Sequence, residues 1–133
     1  MELMQQLGEF AHGENHFHLG HFQRLFDEMN ADPAAYHNLV CEIDGQVGGF
    51  VSLVFYCSFF HQVGTALINE LVVDRNRRGQ GIGRQMIEAA VYEARARSMD
   101  EIEVGTEVTN LAAQQFYNKN GFTEEFVLLG MEF

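Results

Sequence analysis

Apolar positions along the chain change their period twice. Residues 1–38 contain no Val, Ile or Thr and are rich in Phe, Leu, Met, Gln and His. Strands favour β-branched residues, so this segment reads as helical. Phe22, Leu25, Phe26 and Met29 fall at i, i+3, i+4 and i+7, one apolar face of a helix. Asp32-Pro33 reads as an N-cap followed by proline at the first helical position, which predicts a short helix through Asn38. From Leu39 the pattern becomes strand-like. Residues 39–43 and 47–56 form two strand candidates around an Asp44-Gly45 turn, and a loop over 57–64 leads to a third strand at 65–73.

A glycine-rich turn follows, Arg77-Arg78-Gly79-Gln80-Gly81-Ile82-Gly83, and opens a helix running to about residue 98. Ile82, Met86, Ala90 and Ala94 line one side of that helix; Arg84, Glu88, Tyr92 and Arg95 line the other. Ile102 and Val104 alternate with glutamates in a short strand. Thr109 or Asn110 caps a further helix ending near Asn120-Gly121, with the glycine as its C-cap, and a last strand is expected over 122–133. There are no repeats, linkers or low-complexity segments, and 133 residues predict one domain over 1–133.

Charge and composition narrow the function classes. Eight basic against 19 acidic residues give a net charge of −11, which argues against a general nucleic-acid binder, because phosphate contacts need a broad basic face. The charge is segregated. Residues 75–97 hold six of the eight basic side chains and only Glu88 and Glu93, a local +4, against −15 for the remainder. An anion site in the basic stretch and a cationic partner for the rest are the reading this supports. Cys41 and Cys57 make no disulfide framework or zinc pattern and read as buried, reduced thiols. The start of the chain lacks the features of a signal peptide. The longest apolar stretch, 47–60, is shorter than the ~20 residues a membrane span needs. A cytoplasmic protein with no membrane partner is expected.

A strand running into a glycine-rich turn and then a helix is an anion-binding arrangement, because the N–H groups of the first helical turn are unpaired and glycine lets a phosphate approach the backbone. A P-loop would need Gly-Lys-Ser/Thr, whereas Gly83 is followed by Arg84-Gln85. A dinucleotide loop would need GxGxxG, and Gly79-x-Gly81-x-Gly83 is one residue short of it.

Arg78-Gly79-Gln80-Gly81-Ile82-Gly83 resembles the Arg/Gln-x-x-Gly-x-Gly/Ala loop of the GNAT superfamily of N-acetyltransferases. Residues 68–74, Ile-Asn-Glu-Leu-Val-Val-Asp, resemble the strand that feeds it. Downstream, Asn110, Ala112-Ala113, Phe116-Tyr117 and Gly121-Phe122 are similar to the family's second signature. The resemblance covers roughly 65–122. It implies an α/β (α+β) fold with a mixed, mostly antiparallel central sheet flanked by helices. The family's usual first strand has no convincing counterpart here, so either the sheet is one strand smaller or a helix replaces that edge. An uncovered edge is a pairing site, and a homodimer is expected.

The resemblance also implies acetyl-CoA as cosubstrate, with no metal. The backbone of Gly79, Gln80, Gly81, Ile82, Gly83 and Arg84 would hold the pyrophosphate, with charge added by Arg78 and Arg84. Main-chain groups of Leu71, Val72 and Val73 would meet the pantetheine arm as an added strand would. Asn110 and Phe116 would touch the cofactor from the second motif. Tyr117 would protonate the departing thiolate.

Direct attack of an amine on a thioester needs a base, an oxyanion donor and an acid in any case. Tyrosine, with a reference pKa of about 10, keeps its proton at neutral pH. The Val73 N–H is the candidate oxyanion donor. Glu70 is the acidic residue nearest the cofactor strand; by simple alternation it shares a face with Ile68 and Val72. It is the base, acting through a water, a carboxylate that binds a cationic substrate, or simply an exposed strand-end carboxylate. Many family members carry the glutamate earlier on this strand, where Leu67 stands. His61 is a weaker base candidate. His12, His16, His18 and His21 cluster without cysteine or HExxH spacing and read as surface histidines. Tyr56, Phe59 and Phe60 either wall an acceptor pocket or pack the strand end. The expected reaction moves an acetyl group to a primary amine of a small molecule. The competing readings are a catalytically silent acyl-CoA sensor and a protein or peptide N-acetyltransferase.

Overall fold

The computed structural model describes residues 19–133. In chain order these form α1 (Leu19–Ala31), β1 (Tyr36–Ile43), β2 (Gln46–Tyr56), β3 (Thr65–Val73), a 3-10 turn (Arg75–Arg77), α2 (Ile82–Ala96), β4 (Glu101–Val104) and α3 (Leu111–Lys119). The sheet order is β1-β2-β3-β4, with β1-β2 and β2-β3 antiparallel and β3-β4 parallel. The expected mixed, mostly antiparallel sheet with flanking helices is therefore present. Asp44 and Gly45 both have positive φ (52° and 75°), the pairing a two-residue hairpin turn requires between β1 and β2.

One face of the sheet carries the main core. Val51, Leu53, Phe55, Ala66 and Ile68 pack there against Ile82, Met86, Ile87, Ala90 and Ala94 of α2. Each large side chain buried in this way stabilises the fold by about 1.5–3 kcal/mol relative to exposure. The small Ala90 and Ala94 let the helix axis sit close to the strands. On the opposite face Phe50 and Val72 pack with Phe26 of α1, whose half-buried positions are Phe22, Leu25, Phe26 and Met29. The predicted apolar face of α1 is thus the one that docks.

Three expectations need correction. The helix predicted from Asp32 through Asn38 is a single turn: the Ala35 and Tyr36 N–H groups bond to the Asp32 carbonyl, and β1 begins at Tyr36. Strand pairing wins because Tyr36, His37 and Asn38 find partners in Val54, Leu53 and Ser52. The strand expected over 122–133 does not form; none of these residues belongs to a strand or helix. Neither cysteine is buried as expected: Cys41 is half-buried and Cys57 is exposed, and both are free thiols. The helical reading of 1–18, with His12, His16 and His18, lies outside the described residues. No described helix is long and apolar enough to cross a membrane.

Candidate active site

Asn69 sets the geometry of the site. The β2-β3 register shifts between Ser52 and Leu53, leaving Asn69 as the extra residue of a β-bulge. The bulge changes which side chains share a face. Ile68 packs in the α2-side core together with Leu71 and Val73, so it does not share the face of Glu70 as simple alternation implied. At the same point the sheet opens. β3 and β4 pair only from Thr65↔Glu101 to Ile68↔Val104, and no described strand pairs with the outer edge of residues 69–73.

The backbone of that open edge has a defined orientation. The Asp74 N–H donates to the Gly48 carbonyl (2.9 Å), which makes 74↔48 a hydrogen-bonded pair of the antiparallel ladder. Bonded pairs alternate, so Glu70 and Val72 also turn their main-chain groups to β2, while Leu71 and Val73 turn theirs to the open side. Arg78 already uses that side: its Nε donates to the Val73 carbonyl at 3.3 Å.

The glycine-rich turn follows directly. Asp74 caps the 3-10 turn by accepting from the Asn76 N–H (3.1 Å). Arg77 is held by Gln46 Oε1 (3.0 Å) beside Asp74, and serves the turn. Gly79 and Gly81 have φ of 77° and 81°, a region that costs other residues ~1–2 kcal/mol. Gly81 is the N-cap of α2 and no side chain caps that end, so no capping side chain accepts from the first N–H groups of the helix. Arg84 points along the helix surface and pairs with Glu88 (2.9 Å).

The second motif packs on the first. Asn110 caps α3 by accepting from the Ala113 N–H (3.1 Å), which commits its Oδ1 and leaves its amide NH2 for any ligand contact. At the other end, Phe122 N–H to Tyr117 O and Gly121 N–H to Asn118 O close a Schellman motif with Gly121 at φ 101°. Phe116 lies against Gly83, close to Val73. Tyr117 stacks edge-on between Phe116 (5.2 Å between centroids) and Phe122 (5.6 Å). Burial pushes its phenol up to about 12.

Glu70 lies on the α1 side of the sheet. Asn38, Ser52 and Glu70 stand in register across β1, β2 and β3. Burial pushes the Glu70 carboxyl up, opposed by the Asn69 amide, which donates at 2.8 Å, and by the neighbouring Ser52 hydroxyl. The contact with Ser52 is electrostatic rather than a well-formed bond, since Ser52 Oγ and Asn38 Oδ1 are both buried without a hydrogen-bond partner among the described residues. Ser52 was missed in the sequence, although it is the one small polar side chain among the glycine and large apolar residues of the interior of β2.

Other candidates sit elsewhere. His61 pairs with Glu101 (3.3 Å) at the start of β4, the end of the sheet away from the glycine-rich turn. Tyr56 hydrogen-bonds Glu103, and Phe59 and Phe60 are fully exposed. The Glu103 carboxylate, ahead of burial, holds the Tyr56 phenol above its usual range. His21 contacts Arg24 (3.1 Å), and no cluster of three metal-binding side chains exists among the described residues.

A short β3-β4 pairing, an outward-facing ladder edge on β3 and a helix start that no side chain caps thus adjoin one another. The acetyltransferase (GNAT) family profile matches residues 2–122, and the chain belongs to that family. It is 36% identical over 92 residues to an uncharacterized N-acetyltransferase of Methanocaldococcus jannaschii, covering 68% of this chain and 41% of that protein. It is 32% identical over 93 residues to the aminoalkylphosphonate N-acetyltransferase of Salmonella typhimurium, covering 70% and 60%. The matches thus span about half the length of these relatives. Among solved structures, a transcriptional regulator from Bacillus halodurans C-125 superposes with a TM-score of 0.87 at 23% identity, over 99% of this chain and 91% of that one. AAC(6')-Iy, in complex with the bisubstrate analog CoA-S-monomethyl-acetylneamine, gives 0.79 at 18% identity, over 98% and 90%.

Proposed function

We propose that residues 1–133 act as one domain that transfers the acetyl group of acetyl-CoA to a primary amine of a small molecule. The observation that carries this reading is the outward-facing edge of β3 at Leu71 and Val73, which leads directly into the uncapped start of α2. Pyrophosphate lies on the backbone of Gly79, Gln80, Gly81, Ile82, Gly83 and Arg84, with the Arg78 and Arg84 charges nearby. The pantetheine arm runs back along Val73, Val72 and Leu71 like a fifth strand, bordered by Asn110 and Phe116. The thioester is the far end of that arm, so it falls nearer Leu71 and Glu70 than Val73. The Leu71 N–H therefore takes the oxyanion role better than the Val73 N–H.

The chemistry then follows in one ternary complex. An ammonium proton passes to the Glu70 carboxylate through a bridging water, and the free amine attacks the thioester carbonyl carbon. The C–N bond forms, the carbonyl oxygen takes negative charge against the backbone N–H, and the C–S bond breaks as the carbonyl reforms. Tyr117 gives its proton to the departing thiolate and is restored by the second proton that the attacking nitrogen sheds as the amide forms, while Glu70 releases the first to solvent. A phenol at about 12 keeps its proton until the thiolate is formed. Amine-directed names among the relatives and the acidity outside residues 75–97 support a cationic small-molecule acceptor. The free Cys57 thiol, exposed on the surface, suits a reducing cytoplasm.

The test is thiol release from acetyl-CoA over a panel of polyamines, aminoalkylphosphonates, aminoglycosides, amino acids and peptides. Amine-dependent release with stoichiometric acetylation of a small molecule is expected. Binding without turnover of any amine would identify a sensor, and turnover confined to peptides would identify a protein acetyltransferase.

A further inference from the structure

A row of polar side chains crosses the sheet on its α1 side: Asn38 on β1, Ser52 on β2 and Glu70 on β3, each the cross-strand partner of the next. Facing partners in an antiparallel sheet have Cβ atoms ~4.5–5.5 Å apart, so their side chains are within reach of one another. Apolar residues close the row in. Phe50 and Val72 are buried on the same face with Phe26 of α1. The Asn38 amide NH2 is turned to α1, 3.9 Å from Met29 Sδ and 3.4 Å from Asn30 Oδ1. Ser52 is 1% exposed and the Asn38 Oδ1 atom is buried, whereas Glu70 is half-buried, so the carboxyl is the open end of the row.

The hydrogens of this row do not match its acceptors while Glu70 is ionised. Asn38 Oδ1 accepts, a carboxylate accepts, and between them the Ser52 hydroxyl has one proton to donate. Given to Glu70, it leaves Asn38 Oδ1 as a buried acceptor without a donor among the described residues. A buried acceptor left unpaired is destabilising. One added proton completes the row. Protonated Glu70 donates to Ser52 Oγ, and the Ser52 hydroxyl turns to donate to Asn38 Oδ1.

The titratable groups nearby are engaged elsewhere. On α1, Asp27 and Glu28 are exposed and held by Gln23 and Arg24. On β4, Glu103 is bonded by Tyr56. On β1, Tyr36 shares the face of Asn38 by strand alternation, and β2 has no titratable side chain before Tyr56. What acts on the Glu70 carboxyl is burial, which pushes it up, opposed by the Asn69 and Ser52 side chains.

We infer that Ser52 and Asn38 are positioning residues for Glu70: the Ser52 hydroxyl donates to the carboxylate while Glu70 is ionised and swings to Asn38 Oδ1 when Glu70 takes up a proton. In the acetyl transfer proposed above, on which the catalytic side of this role rests, that proton is the one that arrives from the ammonium group through the bridging water. It stays on Glu70 until released to solvent. The Ser52 O–H bond does not break, and Asn38 gains a hydrogen bond but no proton. The row thereby favours the protonated acid without adding a charge to the site.

A carbon-13 NMR titration of the carboxyl groups of the 133-residue chain, without substrate, tests the row; the Glu70 resonance is the one lost in Glu70→Gln. Asn38→Leu keeps the side-chain volume and removes the acceptor, so it should lower the Glu70 midpoint. Asn38 acts through the Ser52 hydroxyl alone. The lowering should therefore be greater by roughly half a pH unit, the worth of a neutral hydrogen bond, with Ser52 present than in a Ser52→Ala background. A change in burial or water entry at Asn38 would act equally in both backgrounds. An effect of Asn38→Leu that is the same in both, or absent from both, overturns the inference. Should Asn38→Leu misfold, Asn38→Ala takes its place in the same cycle. The acid limb of kcat, measured by thiol release with an amine that turns over, should move down with the midpoint. A limb that stays fixed while the midpoint moves overturns Glu70 as the base and leaves the row standing, and if no amine turns over the carboxyl midpoints still decide the row.

Discussion

The ring of Phe116 occupies the space that a side chain on Gly83 would need: a Cβ built there stands 2.9 Å from the Phe116 Cζ. The first and second sequence motifs are therefore one packing unit, with the start of α2 clamped by α3. Gly83→Ala gains about 1 kcal/mol of helix propensity but forces the ring to move, an overpacking cost of ~1–3 kcal/mol. A net loss of roughly 0–2 kcal/mol is expected in urea melts. In a Phe116→Leu background the same substitution should turn neutral or stabilising. Equal effects in both backgrounds would separate the two motifs.

Tyr117→Phe removes a hydroxyl with no hydrogen-bond partner among the described residues, from a ring stacked between Phe116 and Phe122. Stability should change by less than about 1 kcal/mol, because no made bond is lost. Turnover should fall by ~10² or more, the usual worth of a positioned acid. Calorimetric affinity for acetyl-CoA should stay within twofold. A variant with unchanged kcat would remove Tyr117 from the mechanism.

Glu70 carries a carboxyl raised by burial, which gives its pH dependence a definite sign. A raised folded value means the fold prefers the protonated acid. The favourable contribution is complete below the unfolded value of 4.5 and is lost as pH rises through the folded value. Glu70→Gln should therefore melt higher than wild type at pH 7, with the gap closing below about pH 4.5. Its kcat should drop, and the acid limb of wild-type kcat, which lies above the ordinary glutamate range, should vanish in the variant. Higher stability with full activity would leave Glu70 without a role as base.

Much of this architecture was legible because local chemistry and tertiary demand agree. Strand β3 matches its predicted limits, Asp44-Gly45 forms the hairpin turn, and the buried stripe of α2 contains Ile82, Met86, Ala90 and Ala94. The misreadings fall where partners decide. Proline after Asp32 is as compatible with one turn as with a helix, and pairing of Tyr36 with Val54 settles it. The Asn69 bulge is invisible to a period-two reading, since one extra residue moves Ile68 to the other face without changing the residue types. Of the candidate site, the turn into α2 was legible as a glycine spacing, with Gly79 and Gly81 both at positive φ. The Asn38, Ser52 and Glu70 row was not, because it is assembled across three strands.

Asp100 gives the opposite pH sign. The N–H groups of Val63 and Gly64 hold its carboxylate below the usual range. A depressed folded value contributes stability above the unfolded value and loses it as pH falls through the folded value. Asp100→Asn should lower the melting temperature at pH 7, with the difference shrinking as pH drops below about 4. A constant difference from pH 3 to 7 would contradict the assignment.

Calorimetric titration with acetyl-CoA tests the central claim most directly, since everything proposed for the site depends on the β3 edge and the residue 79–84 backbone receiving that ligand. Saturable 1:1 binding is predicted. At 100 times the dissociation constant it should add ~2.7 kcal/mol to the apparent stability, and nicotinamide dinucleotides should give no response. The absence of any binding by acetyl-CoA or CoA at millimolar concentration would contradict the account.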